Sequence, residues 1–356
     1  EPGTFDKNLL RSDLVARLNL FAGGRMVSET SAAGKLSTAE KKKFIRTRDE
    51  LAYTIKSVYF SILGQQKLLD SLDFSRRAIE NNRKRIAQLV EVQKAAKVDL
   101  LRTEVRLSDL NQNIIKEENT LAIQRRLLFS LMGYDAPPEN VRLEDKASLP
   151  AEESLDIGLL IEAALKNRPD YQAAKDRLEA QALRVDVAKA GHLPSINLIG
   201  SYGIRNAPSP SDVGTYPITK EKTKSTEDVG YVGMVLSVPL FEGGRVSAKV
   251  REETALLAAA QNRLRKLELQ IRQETEASAL EVMSNISRFK ATLKSIEQAK
   301  ESLRIESLKY ELGKGHITDL LDAQAALLQA EASNCRACID YHISAAKLKL
   351  ATGGNL

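Results

Sequence analysis

The sequence contains an internal duplication, which constrains the fold more than any other feature. Residues 20–25 (LFAGGR) recur as residues 240–245 (LFEGGR), 220 positions later (240 − 20). The same offset places residues 98–101 (VDLL) on residues 318–321 (TDLL). Two separate motifs that keep one register over so long a stretch indicate two copies of one structural unit.

The repeats divide the chain into three parts. We predict a first repeat over residues 1–133, a linker region over residues 134–167 and a second repeat over residues 168–356. Residues 151–220 have no counterpart 220 positions earlier in the chain. The first repeat is therefore expected to lack its first helix and its first strand.

Composition favours long helices and argues against several classes of function. The chain has no tryptophan, 5% aromatic residues and 28% charged residues, a profile of long helices rather than of a compact enzyme. The net charge of +6 is modest, and no basic stripe alternates with stacking aromatics, so nucleic acid is not an expected partner. Without a nucleophile–base pair, a phosphate loop or a metal cluster in the sequence, we predict no catalytic residue, cofactor or metal.

Cys335 and Cys338 form a C-x-x-C pair in the middle of a predicted helix. A zinc site would need two further ligands, and His342 alone does not supply them. A redox-active pair normally lies at a helix N-terminus, where the thiolate is stabilised. We therefore interpret the two cysteines as ordinary helix residues.

Two long segments without proline, residues 24–92 and 243–312, carry heptad patterns that predict helix-on-helix seams. At 1.5 Å per residue each helix would be about 100 Å long. Shorter helices are predicted over residues 98–132 and 318–352, ended by Gly133 and Gly353. The heptad positions are Leu51, Val58, Gln65, Leu72, Ile79 and Ile86 in the first segment, and Val282, Phe289, Ile296, Leu303 and Tyr310 in the second.

The segments before each Gly-Gly pair change to a period of two. Residues 13–20 and 229–240 have apolar side chains at even positions, and so do residues 195–204. Each segment is about ten residues long, which is the length that a tilted strand needs to cross a bilayer. We favour membrane strands over a soluble hairpin, because the composition offers no core for three such strands.

The same region contains the connections that these strands need. A helix over residues 168–190 precedes the strand at 195–204, and a long polar loop over 205–228 follows it. Four glycines give the backbone freedom to turn from strand into long helix. These strand-to-helix positions are Gly23, Gly24, Gly243 and Gly244.

Strands that lead into very long helices, duplicated in one chain, resemble the TolC-like outer-membrane efflux family. The resemblance implies a mainly α fold: long coiled-coil helices forming a periplasmic α-barrel, and a few transmembrane strands of a trimeric β-barrel. The segments that carry the resemblance are 167–171 (NRPDY), 190–198 (AGHLPSINL), 200–203 (GSYG), 238–245 (VPLFEGGR), 310–313 (YELG) and 319–324 (DLLDAQ).

The resemblance also implies a function and partners. It implies a homotrimer in the outer-membrane lipid of a Gram-negative bacterium, acting as the exit duct of a tripartite efflux or type I secretion system. Such a duct performs no enzymatic chemistry and works with a periplasmic adaptor (membrane fusion) protein and an inner-membrane transporter. With three strands per chain, three chains supply nine strands, so we expect this chain alone not to close the native barrel.

The resemblance places a periplasmic gate at the turns between long and short helices, here residues 93–97 and 313–317. Asp319 and Asp322 are one helical turn apart and would form acidic rings in a trimer. Helix capping and dipole compensation are the alternative role for these aspartates. The full set of implied gate residues is Asp319, Asp322, Asp99, Arg102 and Tyr310.

Two further points concern these turns. An Asp322–Arg102 contact between the repeats is a candidate latch, and the tip turns with Gly313, Gly315 and Gln93 are candidate adaptor-docking positions. The chain departs from the family archetype at Gly315, where the archetype has an arginine.

A soluble coiled-coil scaffold or adaptor protein is the alternative function, and the strand parity shared by the repeats argues against it.

Overall fold

The structure, a computed structural model, describes residues 10–135, 143–144, 155–206 and 226–354. Most of the predicted polar loop at 205–228 lies outside these residues, as do much of the linker at 134–167 and the start of the first repeat. The elements in chain order are β1 (Leu10–Ala22), α1 (Arg25–Glu91), α2 (Lys97–Leu131), α3 (Ile157–Asn167), α4 (Pro169–Lys189), β2 (Ser195–Asn206), β3 (Thr226–Ser237), α5 (Arg245–Glu311) and α6 (Ile317–Thr352), with a 3-10 turn (Ala190–His192) after α4.

The predicted helices are confirmed to within two residues at their ends. α1 and α5 are each 67 residues long, and α2 and α6 are about half that length. Gly133 and Gly353 have φ values of 84° and 70°, the left-handed conformation that ends a helix. The prediction for Leu51 was wrong. The heptad pattern placed it in the seam between helices, but its side chain is exposed. A heptad pattern aligns residues along one helix but does not determine where a partner helix covers them.

The chain divides into two compact units, the first of which comprises Glu1–Ala39 and Ala174–Leu264. It contains the three described strands, which form one antiparallel sheet in the order β1-β2-β3. Small residues such as Ala32 and Ala180 are buried where the helices pack. Lys35 forms an ion pair with Glu179 at 2.5 Å, which joins α1 to α4 within this unit.

One face of the sheet is apolar and combines both repeats. Residues directly opposed on neighbouring strands point to the same face. Leu14 and Val232 on this face are 79% and 80% exposed, so no described residue covers them. The shared parity of the two repeats is thereby confirmed. The opposed triplets on this face, given as β1, β2 and β3, are Leu14–Tyr202–Gly230, Ala16–Gly200–Val232 and Leu18–Leu198–Met234.

The third strand ends earlier in the sequence than predicted. β3 ends at Ser237, so Val238 and Leu240 lie beyond the strand. Pro239 follows directly, and its missing N–H prevents it from extending a ladder of hydrogen bonds.

The alternation of β1 also breaks near its end. The register with β2 shifts between Asn19 and Phe21, so that Phe21 rather than Leu20 opposes Ile196. An irregularity of this kind adds one residue to one strand and reverses the faces beyond it. The placement of Leu20 on the even-numbered face is therefore corrected.

The second unit comprises Glu40–Ala173 and Arg265–Leu356 and is helical in its described part. Its core is a series of apolar clusters along the helices, as the heptad seams predict. One cluster contains Leu72 and Ile79 of α1 with Leu110 of α2. A second contains Ala279 and Val282 of α5 with Leu348 of α6.

Candidate functional site at the helical tips

The two turns that join long to short helices use the same backbone geometry. Gln93, between α1 and α2, has a φ of 59°, and Gly313, between α5 and α6, has a φ of 69°. Gln93 is the one non-glycine residue with positive φ in the described part of the chain. This conformation costs a residue with a side chain about 1–2 kcal/mol, whereas glycine adopts it freely.

The hydrogen bonds of the two turns also match at the repeat offset. The backbone N–H groups of Lys94 and Ala95 both donate to the carbonyl of Leu89, at 2.7 and 3.2 Å. Residues 314 and 315 donate to the carbonyl of residue 309 in the same way, at 2.9 and 3.1 Å. The duplication therefore extends from sequence motifs to individual backbone hydrogen bonds.

An apolar cluster supports both turns. Ile86 of α1 packs with Ile317, Leu320 and Leu321 at the start of α6, and all four are buried. Tyr310, at the end of α5, is half-buried against this cluster. The first turn of α6 is thus held against the last turns of α1 and α5.

Charged groups join the two repeats at the same level. Arg85 of α1 forms an ion pair with Glu311 of α5 at 3.2 Å. Burial raises the pKa of the Tyr310 hydroxyl, the nearby Asp99 carboxylate raises it further, and Arg85 opposes the rise. The predicted gate residues Tyr310 and Asp99 therefore lie within electrostatic range of each other in one chain. The heptad pattern did not single out Arg85 or Glu311, because both are ordinary charged residues of a helix.

The other predicted gate residues point outward in the single chain. Asp319, Asp322 and Arg102 are all exposed. Asp319 lies in the first turn of α6, where a negative charge is favourable beside the helix dipole. His316, the N-cap of α6, makes no side-chain capping bond. The ion pairs found among the described residues do not include one between Arg102 and Asp322.

The strand-to-helix turns lie in the first unit and have the predicted backbone. Gly23, Gly24, Gly243 and Gly244 have φ values of 61°, 81°, 59° and 82°. A Cβ at Gly23 would lie 2.6 Å from the Cβ of Leu193, so that this glycine is also required for packing.

A buried charge cluster in the second unit was not predicted as a site. The Arg168 side chain is 2% exposed and donates to both carboxylate oxygens of Asp170, at 3.1 and 2.7 Å. It also donates to Glu274 of α5 at 2.7 Å and to the carbonyl of Ala351 at 3.4 Å. Arg46 of α1 lies 3.8 Å from Asp170 and donates to the carbonyl of Leu350 at 2.8 Å.

This cluster joins three helices to the end of a fourth, because Leu350 and Ala351 belong to the last turn of α6. Burial lowers the pKa of Arg168, but its hydrogen bonds to Asp170 and Glu274 outweigh burial and raise it overall. Burial alone would raise the pKa of Asp170, and the bonds from Arg168 together with the charge of Arg46 hold it below its ordinary value. The sequence signal for this cluster is the segment NRPDY at residues 167–171, which contains both Arg168 and Asp170 and also carries the family resemblance.

Two searches of the described residues bear on other classes of site. None of the described helices is long and apolar enough to span a membrane. No group of three or more histidine, cysteine, aspartate or glutamate residues in the described ranges is placed to hold a metal ion.

Comparison with solved structures defines the fold. The chain superposes on the outer-membrane channel OprN with a TM-score of 0.79 at 20% identity, covering 98% of this chain and 82% of that one. VceC, an outer membrane protein from Vibrio cholerae, gives a TM-score of 0.78 at 17% identity, covering 98% and 86%. The fold is that of outer-membrane channels whose long helices form a periplasmic α-barrel and whose strands belong to a β-barrel.

The family assignment rests on sequence. The family described as "Outer membrane efflux protein" matches residues 160–354, which is more than half of the chain. The chain therefore belongs to the outer membrane efflux protein family. It is an outer-membrane exit duct of the efflux or type I secretion kind, located in the Gram-negative outer membrane with its helices in the periplasm.

Named relatives agree with this assignment. The outer membrane protein TolC of Vibrio cholerae is 24% identical over 97% of this chain and 80% of its own length. The TolC protein of Escherichia coli is 24% identical over 83% of this chain, which spans 60% of that relative. The proteases secretion protein PrtF of Dickeya chrysanthemi is 24% identical over 73% of this chain and 54% of its own length.

Proposed function

We propose that the full-length protein forms a homotrimeric exit duct whose periplasmic end is gated at the helical tips. The observation that carries the proposal is the pair of matched tip turns, which share one apolar cluster that contains Ile86 of the first repeat and Ile317 of the second. Three chains arranged around an axis would bring three copies of each tip together. The exposed carboxylates of Asp319 and Asp322 would then form acidic rings at the narrowest point.

The gate would be held by contacts between the repeats. The Arg85–Glu311 ion pair and the cluster around Ile86 keep the two tips of one chain together. Among the described residues Arg102 and Asp322 make no ion pair with each other, and we propose that they meet instead across neighbouring chains of the assembled duct. Opening would separate some of these groups while the helices above them stay packed.

The partners of the duct would dock at the same end. We propose that the tip turns with Gln93, Gly313 and Gly315 contact a periplasmic adaptor protein, which links the duct to an inner-membrane transporter. PrtF is named as a proteases secretion protein, and another relative, CzcC of Cupriavidus metallidurans, as a cobalt-zinc-cadmium resistance protein. The duct itself would be passive, because the inner-membrane transporter supplies the energy for export. This role requires no catalytic residue in this chain.

Conductance of the full-length protein in a planar lipid bilayer tests the duct and its gate together. We expect a cation-selective pore that depends on trimer formation. Replacing Asp319 and Asp322 together by alanine should reduce cation selectivity and change the conductance. Asp109→Ala, at an exposed aspartate of α2, is the matched control and should leave both unchanged.

The two parts of the proposal fail in different ways. A protein that inserts but forms no pore would contradict the duct. A pore whose selectivity is the same with and without Asp319 and Asp322 would contradict the acidic gate and leave the duct in place. A scaffold protein, the alternative function, would give no pore and no requirement for detergent.

A further inference from the structure

We infer that α6 carries a binding site for a soft monovalent metal cation such as Cu(I) or Ag(I), formed by the thiolates of Cys335 and Cys338. Both residues lie in the second unit, both are half-buried, and neither takes part in a disulfide. The inference concerns binding by the helix and does not depend on passage through the duct.

The helix fixes the spacing of the two sulfurs. Cys335 and Cys338 are three residues apart in α6, which continues without interruption from Ile317 to Thr352. Residues at this spacing lie on one face of a helix with their Cβ atoms about 5–6 Å apart. A disulfide needs Cβ atoms about 3.5–4.5 Å apart, so the intact helix opposes a direct bond between the sulfurs.

A metal ion fits the gap that a disulfide cannot close. Bonds from thiolate to metal are about 2.3 Å long for zinc, so an ion between two sulfurs holds them roughly twice as far apart as a disulfide does. This wider separation matches neighbouring positions on one helical face. The pair can therefore bind a bridging ion while the helix stays intact.

The number of available ligands selects the metal. No group of three or more potential ligands in the described residues is placed around one ion. Structural zinc sites need four ligands, whereas soft thiolates favour Cu(I). Two thiolates alone therefore suit a soft monovalent ion rather than a divalent one.

The neighbouring helix holds one of the two sulfurs in position. The Sγ atom of Cys335 lies 3.5 Å from the carbonyl oxygen of Gly64 in α1. A Cβ at Gly64 would collide with Ile339, so the absence of a side chain permits the close approach of α1 and α6. The Cys335 thiol is the donor in this contact, so metal binding, which removes its proton, replaces the bond to Gly64.

The binding step balances without a further reagent. Each thiol loses one proton, two metal–sulfur bonds form, and the metal keeps its oxidation state. A singly charged cation and two thiolates give a complex of charge −1, with two protons released to solvent. Binding should accordingly weaken as the pH falls.

The test is a titration of the purified, reduced full-length protein with Cu(I) under anaerobic conditions, against a chromophoric Cu(I) chelator. We expect one ion per chain and at least a tenfold loss of affinity in Cys335→Ser and in Cys338→Ser. Serine at position 335 can still donate to the Gly64 carbonyl, so the fold should be retained, as circular dichroism will show. His192→Gln, at a potential ligand in the first unit, is the control and should bind as the unaltered protein does.

Several results would overturn the inference. Equal uptake by the double serine variant would place the ion elsewhere, and one ion per two chains would make the site intermolecular. A nitrogen or oxygen neighbour in X-ray absorption spectra would rule out coordination by two thiolates alone. None of these measurements requires a pore, so their failure is distinguishable from failure of the proposed duct.

Discussion

Tyr310 at the end of α5 lies close enough to Asp99 in the first turn of α2 for that carboxylate to raise the pKa of the tyrosine hydroxyl. The two residues belong to different repeats and are separated by most of the chain. Their proximity joins the tips of the repeats at the level of the matched turns. An electrostatic interaction between the two tips is where a gate can be strengthened or weakened.

We predict that Tyr310→Phe will loosen the proposed gate without unfolding the tip. The phenyl ring keeps the packing against the cluster around Ile86, and only the hydroxyl near Asp99 is lost. Single-channel recording should show longer or more frequent open states. Tyr134→Phe removes a hydroxyl from a tyrosine that packs on Phe129, and its recordings should match those of the unaltered protein. Unchanged gating in both variants would exclude a role for the Tyr310 hydroxyl.

The strained turn at Gln93 leads to a second prediction. Gln93→Gly should stabilise the protein by up to about 1 kcal/mol, because glycine adopts the left-handed conformation without steric cost. The thermal unfolding midpoint in detergent should rise by no more than a few degrees. The reciprocal change Gly313→Gln introduces the same strain in the second turn and should lower the midpoint. The prediction requires the unfolding midpoint to rise in Gln93→Gly and to fall in Gly313→Gln.

The buried cation Arg168 leads to a third prediction. Arg168→Met removes the charge that Asp170 and Glu274 share and should destabilise the protein by about 1–3 kcal/mol, because the half-buried Asp170 carboxylate loses its hydrogen-bond partner while Glu274 stays exposed to solvent. Arg168→Lys keeps the charge but not the two-pronged contact, so its effect should be intermediate. Arg48→Ala breaks an exposed ion pair with Asp49 and should change stability by less than about 1 kcal/mol. A similar melting midpoint for Arg168→Met and Arg48→Ala would contradict a structural role for the cluster.

The depressed pKa of Asp170 leads to a fourth prediction, which concerns acid stability. In the unfolded chain this carboxyl titrates near its ordinary value of about 3.9, whereas in the folded protein its pKa lies lower. Its contribution to stability is therefore complete above that unfolded value and is lost as the pH falls below about 4 towards the folded pKa. Thermal midpoints measured across this range should fall more steeply for the unaltered protein than for Asp170→Asn. Equal slopes would show that Asp170 does not contribute to acid sensitivity.

Close packing of two strands leads to a fifth prediction. A Cβ at Gly203 in β2 would lie 2.5 Å from the carbonyl oxygen of Ser12 and 2.9 Å from the Cα of Asp13. Backbone atoms cannot move aside easily, so Gly203→Ala should destabilise the sheet by about 1–3 kcal/mol. At Gly233 in β3 no atom lies within 4 Å of the added Cβ, so Gly233→Ala should be tolerated. Protection of the strands from protease in detergent micelles distinguishes the two variants.

Much of the architecture followed from local patterns. The helix ends near Gly133 and Gly353 could be predicted because a left-handed residue is a local requirement of the chain. The shared parity of Leu18 and Met234 could be predicted because alternation along a strand determines its face. The register shift at Leu20 could not be predicted, because a bulge depends on how the neighbouring strand pairs with this one.

The candidate site shows the same division. The sequence by itself determined the duplication, the long helices and the turns at Gln93 and Gly313, because periodicity and backbone conformation depend on residues close together in the chain. Only the tertiary structure placed Tyr310 beside Asp99 and buried Arg168 against Asp170 and Ala351. Those contacts join segments that are distant in sequence, and which charged residues meet is decided by how the helices pack.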